Sequence, residues 1–260
     1  AKFIAFKSDV PLVVIPSTLS THVYASTKIH ALPPIKQLGY DLTIDGYAAH
    51  LTLIDTHILS KLFSDNKRLI LSGFGDILAF INARMDWKDG ANRGCGQYSP
   101  FVDECIDHII QTLINIDISG PLAYWICEYV FIQCLLCHIT DWVGSAPASG
   151  AEHLFAKCIE DDNLNQAPIH GEIVALGVYI YQYVRGGDIA LVKSLLDKFS
   201  ISVSFNRLGI TEKSVVNALS GAHREGLRKG RYTFLNESKY YQYDWGRVIQ
   251  EMKKHNMLSA

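Results

Sequence analysis

One stretch of the sequence runs from turn-forming residues directly into a histidine: Ala146-Pro147-Ala148-Ser149-Gly150-Ala151-Glu152-His153. Seventeen residues further on, a shorter segment of the same kind follows, His170-Gly171-Glu172. Each histidine stands at the start of a segment with helical apolar spacing, so both side chains can point from helix N-termini into one cleft. Histidine is the commonest metal ligand and a frequent acid–base group. The two segments therefore indicate a candidate site within a largely helical domain.

A metal site of this kind needs a third ligand. Two histidines and one carboxylate, with a fourth position open, form the ligand set of catalytic zinc or of another divalent ion in the same geometry. The best candidate for the carboxylate is Asp76, in Gly73-Phe74-Gly75-Asp76. The segment also resembles a dinucleotide-binding loop, but Leu78 stands where the third glycine should be. The competing interpretation is a turn in which Asp76 caps a helix. Spacing alone leaves both interpretations open, as it leaves open a structural role for each histidine.

The chain divides into a short α/β segment and a long helical segment. Pro11–Pro16 is a β-branched apolar run typical of a buried strand in a parallel sheet, and His50–Asp55 is a second strand-like run. We predict an α/β remnant over residues 1–55 and an all-α domain over residues 56–260. Because so few strands cannot form a stable sheet alone, we expect more sheet than this sequence shows. The start without Met, at Ala1, likewise leads us to expect a fragment.

The helical domain is predicted from apolar spacing, with Gly and Pro clusters between the helices. The predicted helices are Ile58–Leu71, Ile77–Trp87, Val102–Ile116, Leu122–Ile139, His153–Cys158, Gly171–Tyr183, Ile189–Phe199, Thr211–Leu219 and Trp245–Lys254.

Composition limits the classes of protein to which the chain can belong. It has 260 residues, 48% of them hydrophobic, and a formal net charge of −2. That charge gives no electrostatic footprint for nucleic acid or an anionic membrane. The six cysteines are too sparse for a disulfide scaffold and favour a reducing cytoplasm. Leu122–Ile139 is about one membrane span long, but it carries Glu128, Gln133 and His138, and we interpret it as a buried helix rather than a membrane insertion.

Several short motifs occur in an order that is similar to one known family. They are Pro16-Ser17-Thr18-Leu19-Ser20-Thr21, Gly73-Phe74-Gly75-Asp76 with Asp86-Trp87, Ser145 to His153, His170-Gly171-Glu172 and Arg231-Tyr232-Thr233. Together they resemble the sn-glycerol-1-phosphate dehydrogenase family, within the glycerol dehydrogenase and dehydroquinate synthase-like superfamily. The resemblance covers nearly the whole chain and implies a nucleotide-binding α/β domain joined to a helical metal domain, with the active site between them.

The resemblance also implies roles for particular residues. The metal, Zn²⁺ or another divalent ion, would be held by Asp76, His153 and His170. The dinucleotide, NAD or NADP, would lie beside Ser17, Thr18 and Ser20. Two departures stand out: the glycine-rich nucleotide loop that should precede Ala1 is absent, and His22 stands where relatives often carry an Asp that helps to position the substrate. We expect His22 to be a catalytic residue that relays a proton.

The favoured hypothesis is a metal-dependent, NAD(P)-linked oxidoreductase acting on a small polyol or polyol phosphate of the glycerol-1-phosphate and dihydroxyacetone phosphate type. One alternative is a carbocyclic synthase of the dehydroquinate synthase type, against which Asp76 in place of Glu argues. Another is a non-catalytic metal-binding relative. We expect a cytoplasmic homo-oligomer that takes a small-molecule substrate and binds neither nucleic acid nor membrane.

Overall fold

Two short strand pairs form the N-terminal part of the protein. The computed structural model describes residues 2–30, 43–162 and 168–259. Helix α1 (Lys2–Ser8) comes first. Strand β1 (Val13–Val14) then pairs in parallel with β4 (Leu51–Thr52). Strand β2 (Lys28–His30) pairs in antiparallel fashion with β3 (Thr43–Asp45).

The parallel pairing of β1 and β4 agrees with the sequence, but the predicted burial of the first strand is wrong. Val13 is 53% exposed and Leu51, its partner in register, is 49% exposed. Leu12, which points the other way, is buried. Successive residues of a strand face opposite sides, and in the described part of the chain the side that carries Val13 and Leu51 is about half exposed. The apolar run therefore covers the core with alternate residues only.

The rest of the described chain is helical. Its helices are α2 (Thr56–Ile77), α3 (Ala79–Asn92), α4 (Pro100–Asn115), α5 (Leu122–Val143), α6 (Ala151–Asp162), α7 (His170–Arg185), α8 (Ile189–Lys198), α9 (Phe205–Leu208), α10 (Glu212–Arg228) and α11 (Trp245–Lys254), with 3₁₀ turns at Ala146–Ala148, Phe234–Asn236 and Ser238–Tyr240. A short α/β segment followed by helices is thus the observed architecture, and α2 begins at Thr56.

Each predicted helix is found, and its start lies within two residues of the prediction, but α2, α3, α5, α6 and α10 extend four to nine residues beyond their predicted ends. Trp245–Lys254 is found with the predicted bounds, and Thr211 caps α10 through its side chain, which accepts the Ser214 backbone N–H. The interpretation of Gly73–Asp76 as a turn that opens a helix is wrong: α2 runs through the segment, and Asp76 lies in its last turn. The only break in α2 is at Asn66, where the backbone angles are not helical.

Helix α7 lies at the centre of the helical domain. Every residue from Gly171 to Gln182 is buried, and α7 packs against α2, α3, α6 and α8. A helix with apolar residues on every face belongs in a core, because no face of it is suited to water. Aromatic packing holds α2 in place beside it: the Phe74 ring stacks on Tyr129 of α5 and on Phe199 at the end of α8, each at 4.0 Å between centroids.

Helix α5 is confirmed as a helix but is buried on one side only. Trp125, Tyr129 and Leu136 face the core, whereas Tyr124 and Trp142 are more than half exposed. Among the described residues it is the one helix long and apolar enough to cross a membrane by length and composition. Half of its most apolar segment is buried inside the protein. A core helix at the edge of a helical bundle has the same length, composition and burial.

Candidate metal centre

The three predicted metal ligands converge on one point. Asp76 lies in the last turn of α2, His153 in the first turn of α6, and His170 is the first residue of α7. The Asp76 Oδ1 atom is 3.2 Å from His153 Nε2 and 3.5 Å from His170 Nε2. The Asp76 side chain is 2% exposed, that of His153 17% and that of His170 33%, so the group is open to solvent on the histidine side.

Two glycines let α2 and α7 approach closely enough to bring Asp76 beside His170. A Cβ atom at Gly171 would collide with the carbonyl oxygen of Ser72, and one at Gly75 would collide with the carbonyl oxygen of Gly171. Glycine is the residue that permits such backbone contact. A bidentate ion pair reinforces the same helix contact, since Arg68 donates two hydrogen bonds of 2.6 Å to the buried carboxylate of Glu172.

A buried carboxylate holds the loop that leads into His153. Asp86 of α3 accepts hydrogen bonds from the backbone N–H groups of Ala151, at 3.0 Å, and Phe234, also at 3.0 Å, and from Arg185 at 2.5 Å. Burial raises the pKa of Asp86 to about 7, against the opposing effect of Arg185. Arg231 adds hydrogen bonds to the backbone and side chain of Ser149. The family-like Asp86 and Arg231 segments thus position the loop rather than touch the three ligands.

Each of the three candidate ligands has one further polar partner. His22 Nδ1 lies 3.0 Å from the second carboxylate oxygen of Asp76. Glu152 lies 3.0 Å from Nδ1 of His153, and Glu160 lies 2.5 Å from Nδ1 of His170. Sequence reasoning assigned no role to either glutamate. A signal was present for Glu160, which follows His153 by seven residues and so shares its face of α6.

The loop after β1 carries the residues predicted to contact the dinucleotide. Ser17 is exposed, Ser20 is partly buried, and the Thr18 hydroxyl donates to the carbonyl of Leu69 at 3.2 Å. The loop is anchored at Leu19, whose carbonyl oxygen accepts hydrogen bonds from Tyr129 and Gln133. The close approach needs Gly73, because a Cβ atom there would collide with the Leu19 carbonyl oxygen. The loop therefore brings His22 to Asp76 and leaves Ser17 exposed to solvent.

Several curated proteins are similar in sequence to most of the chain. No protein-family model matches it. It is 29% identical over 238 residues to the glycerol-1-phosphate dehydrogenase (NAD(P)+) of Methanothrix thermoacetophila, covering 90% of this chain and 64% of the relative. It is 31% identical over 247 residues to the protein of the same name from Sulfolobus acidocaldarius, covering 91% of this chain and 66% of the relative. The chain is a homologue of glycerol-1-phosphate dehydrogenases. It spans slightly less than two thirds of the length of these relatives.

Solved structures share the fold of the chain. The glycerol dehydrogenase of Schizosaccharomyces pombe aligns with 98% of this chain and 65% of its own, with a TM-score of 0.66 at 18% identity. A probable glycerol dehydrogenase of Sinorhizobium meliloti 1021 aligns with 97% of this chain and 72% of its own, with a TM-score of 0.63 at 13% identity. The resemblance to the glycerol dehydrogenase-like fold that the motifs suggest is therefore confirmed.

The charges at the three-residue group of this dehydrogenase homologue are strongly coupled. Burial alone would raise the pKa of Asp76, but hydrogen bonds from His153, His170 and His22 hold it well below its usual range. Burial lowers the pKa of His170, but its hydrogen bonds to Asp76 and Glu160 outweigh that effect and raise the pKa to about 10. In the metal-free protein at neutral pH, His170 therefore carries a proton that a metal ion would have to displace.

We expect metal binding to release protons. Because imidazole binds metal only in its neutral form, the apparent affinity for Zn²⁺ should rise with pH below about 10, by up to about tenfold per pH unit for each proton displaced. The stability that protonated His170 contributes to the metal-free chain is complete below pH 6.5 and is lost as the pH rises through about 10. Calorimetric titration in two buffers of different ionisation enthalpy measures the proton release directly, and binding at pH 7 without proton release would contradict the prediction.

Proposed function

We propose that this chain carries the metal-binding, substrate-handling part of an NAD(P)-linked dehydrogenase of polyol phosphates, of the glycerol-1-phosphate and dihydroxyacetone phosphate type. The observation that supports this most is the convergence of Asp76, His153 and His170 beside the loop that bears Ser17 and His22. The printed names of the relatives, which are glycerol-1-phosphate dehydrogenases linked to NAD(P), agree with it.

The donor set fits a divalent metal ion. One ring nitrogen from each histidine and one carboxylate oxygen lie within 4.8 Å of one another. Nitrogen and oxygen ligands in this number are those of catalytic zinc sites, in which a fourth position stays free. When bound, such an ion would supply Lewis-acid polarisation of the substrate oxygen. Asp76, His153 and His170 would hold it.

The other residues would handle protons and position the cofactor. His22, whose side chain is 22% exposed, would pass a proton between the substrate hydroxyl and solvent, while its Nδ1 atom stays on Asp76. Ser17, Thr18 and Ser20 would contact NAD or NADP from the end of β1, the end of a parallel strand at which α/β sheets bind ligands. The nicotinamide carries the hydride, and the residues of this chain orient the reactants and provide the electrostatic environment.

We further propose that the protein works in the cytoplasm as a homo-oligomer.

The test is turnover of reduced nicotinamide cofactor with defined substrates. With Zn²⁺ present, a protein that joins this chain to a glycine-rich nucleotide-binding loop is expected to oxidise NADH or NADPH with dihydroxyacetone phosphate and not with a heptulosonate-type phosphate. Treatment with a chelator should abolish the reaction, and added Zn²⁺ should restore it. The His22→Asn variant should keep its metal and lose turnover by at least about 100-fold, the scale of acid–base catalysis.

The outcomes separate the proposed function from its rivals. Turnover or cyclisation of a heptulosonate-type phosphate would support a carbocyclic synthase and contradict the dehydrogenase. Stoichiometric metal binding with no turnover of any substrate would support a non-catalytic metal-binding relative.

A further inference from the structure

The two histidines of the metal centre each carry a carboxylate on the ring nitrogen that faces away from Asp76. His153 points Nε2 at Asp76 and Nδ1 at Glu152. His170 points Nε2 at Asp76 and Nδ1 at Glu160. An ionised carboxylate can only accept hydrogen bonds. The Nδ1 atom of each ring must therefore donate, so the nitrogen that faces Asp76 and would bind the metal, after losing any proton it holds, is Nε2.

Glu152 is held rigidly in its place. It is fully buried, and its Oε1 atom accepts the Gly150 backbone N–H at 2.6 Å in addition to the contact with His153. Its Oε2 atom accepts a hydrogen bond of 2.6 Å from the side-chain amide of Asn82 on α3. Both oxygens are thus fixed by groups outside the metal centre, and Glu152 cannot turn without breaking these contacts.

Glu160 makes the equivalent contact with His170, but from a partly exposed position. It lies two turns along α6 from His153 and reaches across to the first residue of α7. Its side chain is 30% exposed, so water competes for its oxygens. Both histidines therefore have a carboxylate partner, but Glu152 is held more firmly in place than Glu160.

We propose that Glu152 and Glu160 are positioning residues that fix the tautomer and ring orientation of His153 and His170 for metal binding, and that Glu152 contributes more because it is buried and anchored. The inference rests on the proposed metal-binding function. A carboxylate hydrogen-bonded to Nδ1 makes Nε2 a stronger electron-pair donor to a metal ion. It also holds the ring in the orientation that metal binding needs. Neither glutamate touches the metal position itself.

The test is metal titration of the whole chain and three variants, with Zn²⁺ and with Co²⁺, whose visible bands report the ligand field. Glu152→Gln should weaken Zn²⁺ binding by about 10- to 100-fold, the usual effect of losing such a partner. Glu160→Gln should weaken it by up to about tenfold. Asp161→Asn is the matched control, because Asp161 is adjacent to Glu160 but pairs with Lys157 on the surface, and it should bind as the unaltered chain does.

The results distinguish this inference from the function on which it rests. If the unaltered chain binds neither ion, the proposed metal function fails and the inference fails with it. If the unaltered chain binds and both glutamine variants bind equally well with unchanged Co²⁺ spectra, only the inference is overturned. A purely structural Glu152 would lower the unfolding temperature of the metal-free protein and leave the spectrum unchanged. If Glu152→Gln does not fold, the Zn²⁺ affinity and the Co²⁺ spectrum of Glu160→Gln decide whether these carboxylates position the histidines, because Glu160 is partly exposed.

Discussion

Replacing Asp76 with asparagine is expected to abolish tight metal binding while leaving the helical domain folded. The amide keeps the shape of the side chain but removes the charge that three histidines contact. Loss of a direct ligand should cost more than the 10- to 100-fold that follows loss of an outer partner, so we expect a decrease in Zn²⁺ affinity of more than about 100-fold. Metal content after purification, together with Zn²⁺ titration, measures it.

The stability of the metal-free variant provides a second readout. The folded-state pKa of Asp76 lies well below its usual value of 3.8, so its charge stabilises the fold above that pH and Asp76→Asn should lower the unfolding temperature at pH 7. Asp107→Asn is the control, since Asp107 pairs with Arg84 at an exposed position. If Asp76→Asn retained stoichiometric, tight metal, as Asp107→Asn should, the assignment of Asp76 as a ligand would be wrong.

The second large effect is expected from Gly171→Ala. The added methyl group would meet the carbonyl oxygen of Ser72, which is backbone and cannot rotate away. Helices α2 and α7 must then separate, and because both are packed in the core we expect a loss of about 3 kcal/mol in the free energy of unfolding. The same displacement moves Asp76 away from His170, so Zn²⁺ affinity should fall together with stability.

Denaturant unfolding of the metal-free chain, with and without the substitution, measures the first effect, and Zn²⁺ titration measures the second. Gly246→Ala is a matched control. Gly246 also lies within a helix, but a methyl group there would meet only Asp244 Oδ1, at 3.4 Å. That variant should change stability by less than about 1 kcal/mol. Equal effects of the two substitutions would mean that the contact between α2 and α7 does not position the metal centre.

The candidate ligands Asp76, His153 and His170 show how much of the site could be predicted from the sequence. Two histidines at helix starts can be recognised locally, since turn residues and apolar spacing are properties of short segments. Asp76 is separated from His153 by 77 residues, and spacing left its role open until the family-like order of motifs was added. The structure brings all three together through the contact between α2 and α7, which no local pattern encodes.

The Gly73–Asp76 segment shows where local reasoning failed. Two glycines near an aspartate are typical of a turn, but here they lie within α2, where each allows a close backbone approach: Gly73 to Leu19 and Gly75 to Gly171. Glycine has the same sequence signature whether it serves a turn or a tight contact between helices. Which role applies depends on a neighbour that is distant in sequence.

By itself, the sequence determined the helical character of the domain, the helix starts and the two histidines as candidate ligands, because these follow from periodicity and side-chain chemistry within short windows. Only the tertiary structure decided that α2 continues through Gly73–Asp76, that one face of the β1–β4 pair is exposed, and that Glu152 and Glu160 contact the candidate ligands His153 and His170. Each of these depends on which distant segment lies alongside, and the packing of the whole chain sets that arrangement.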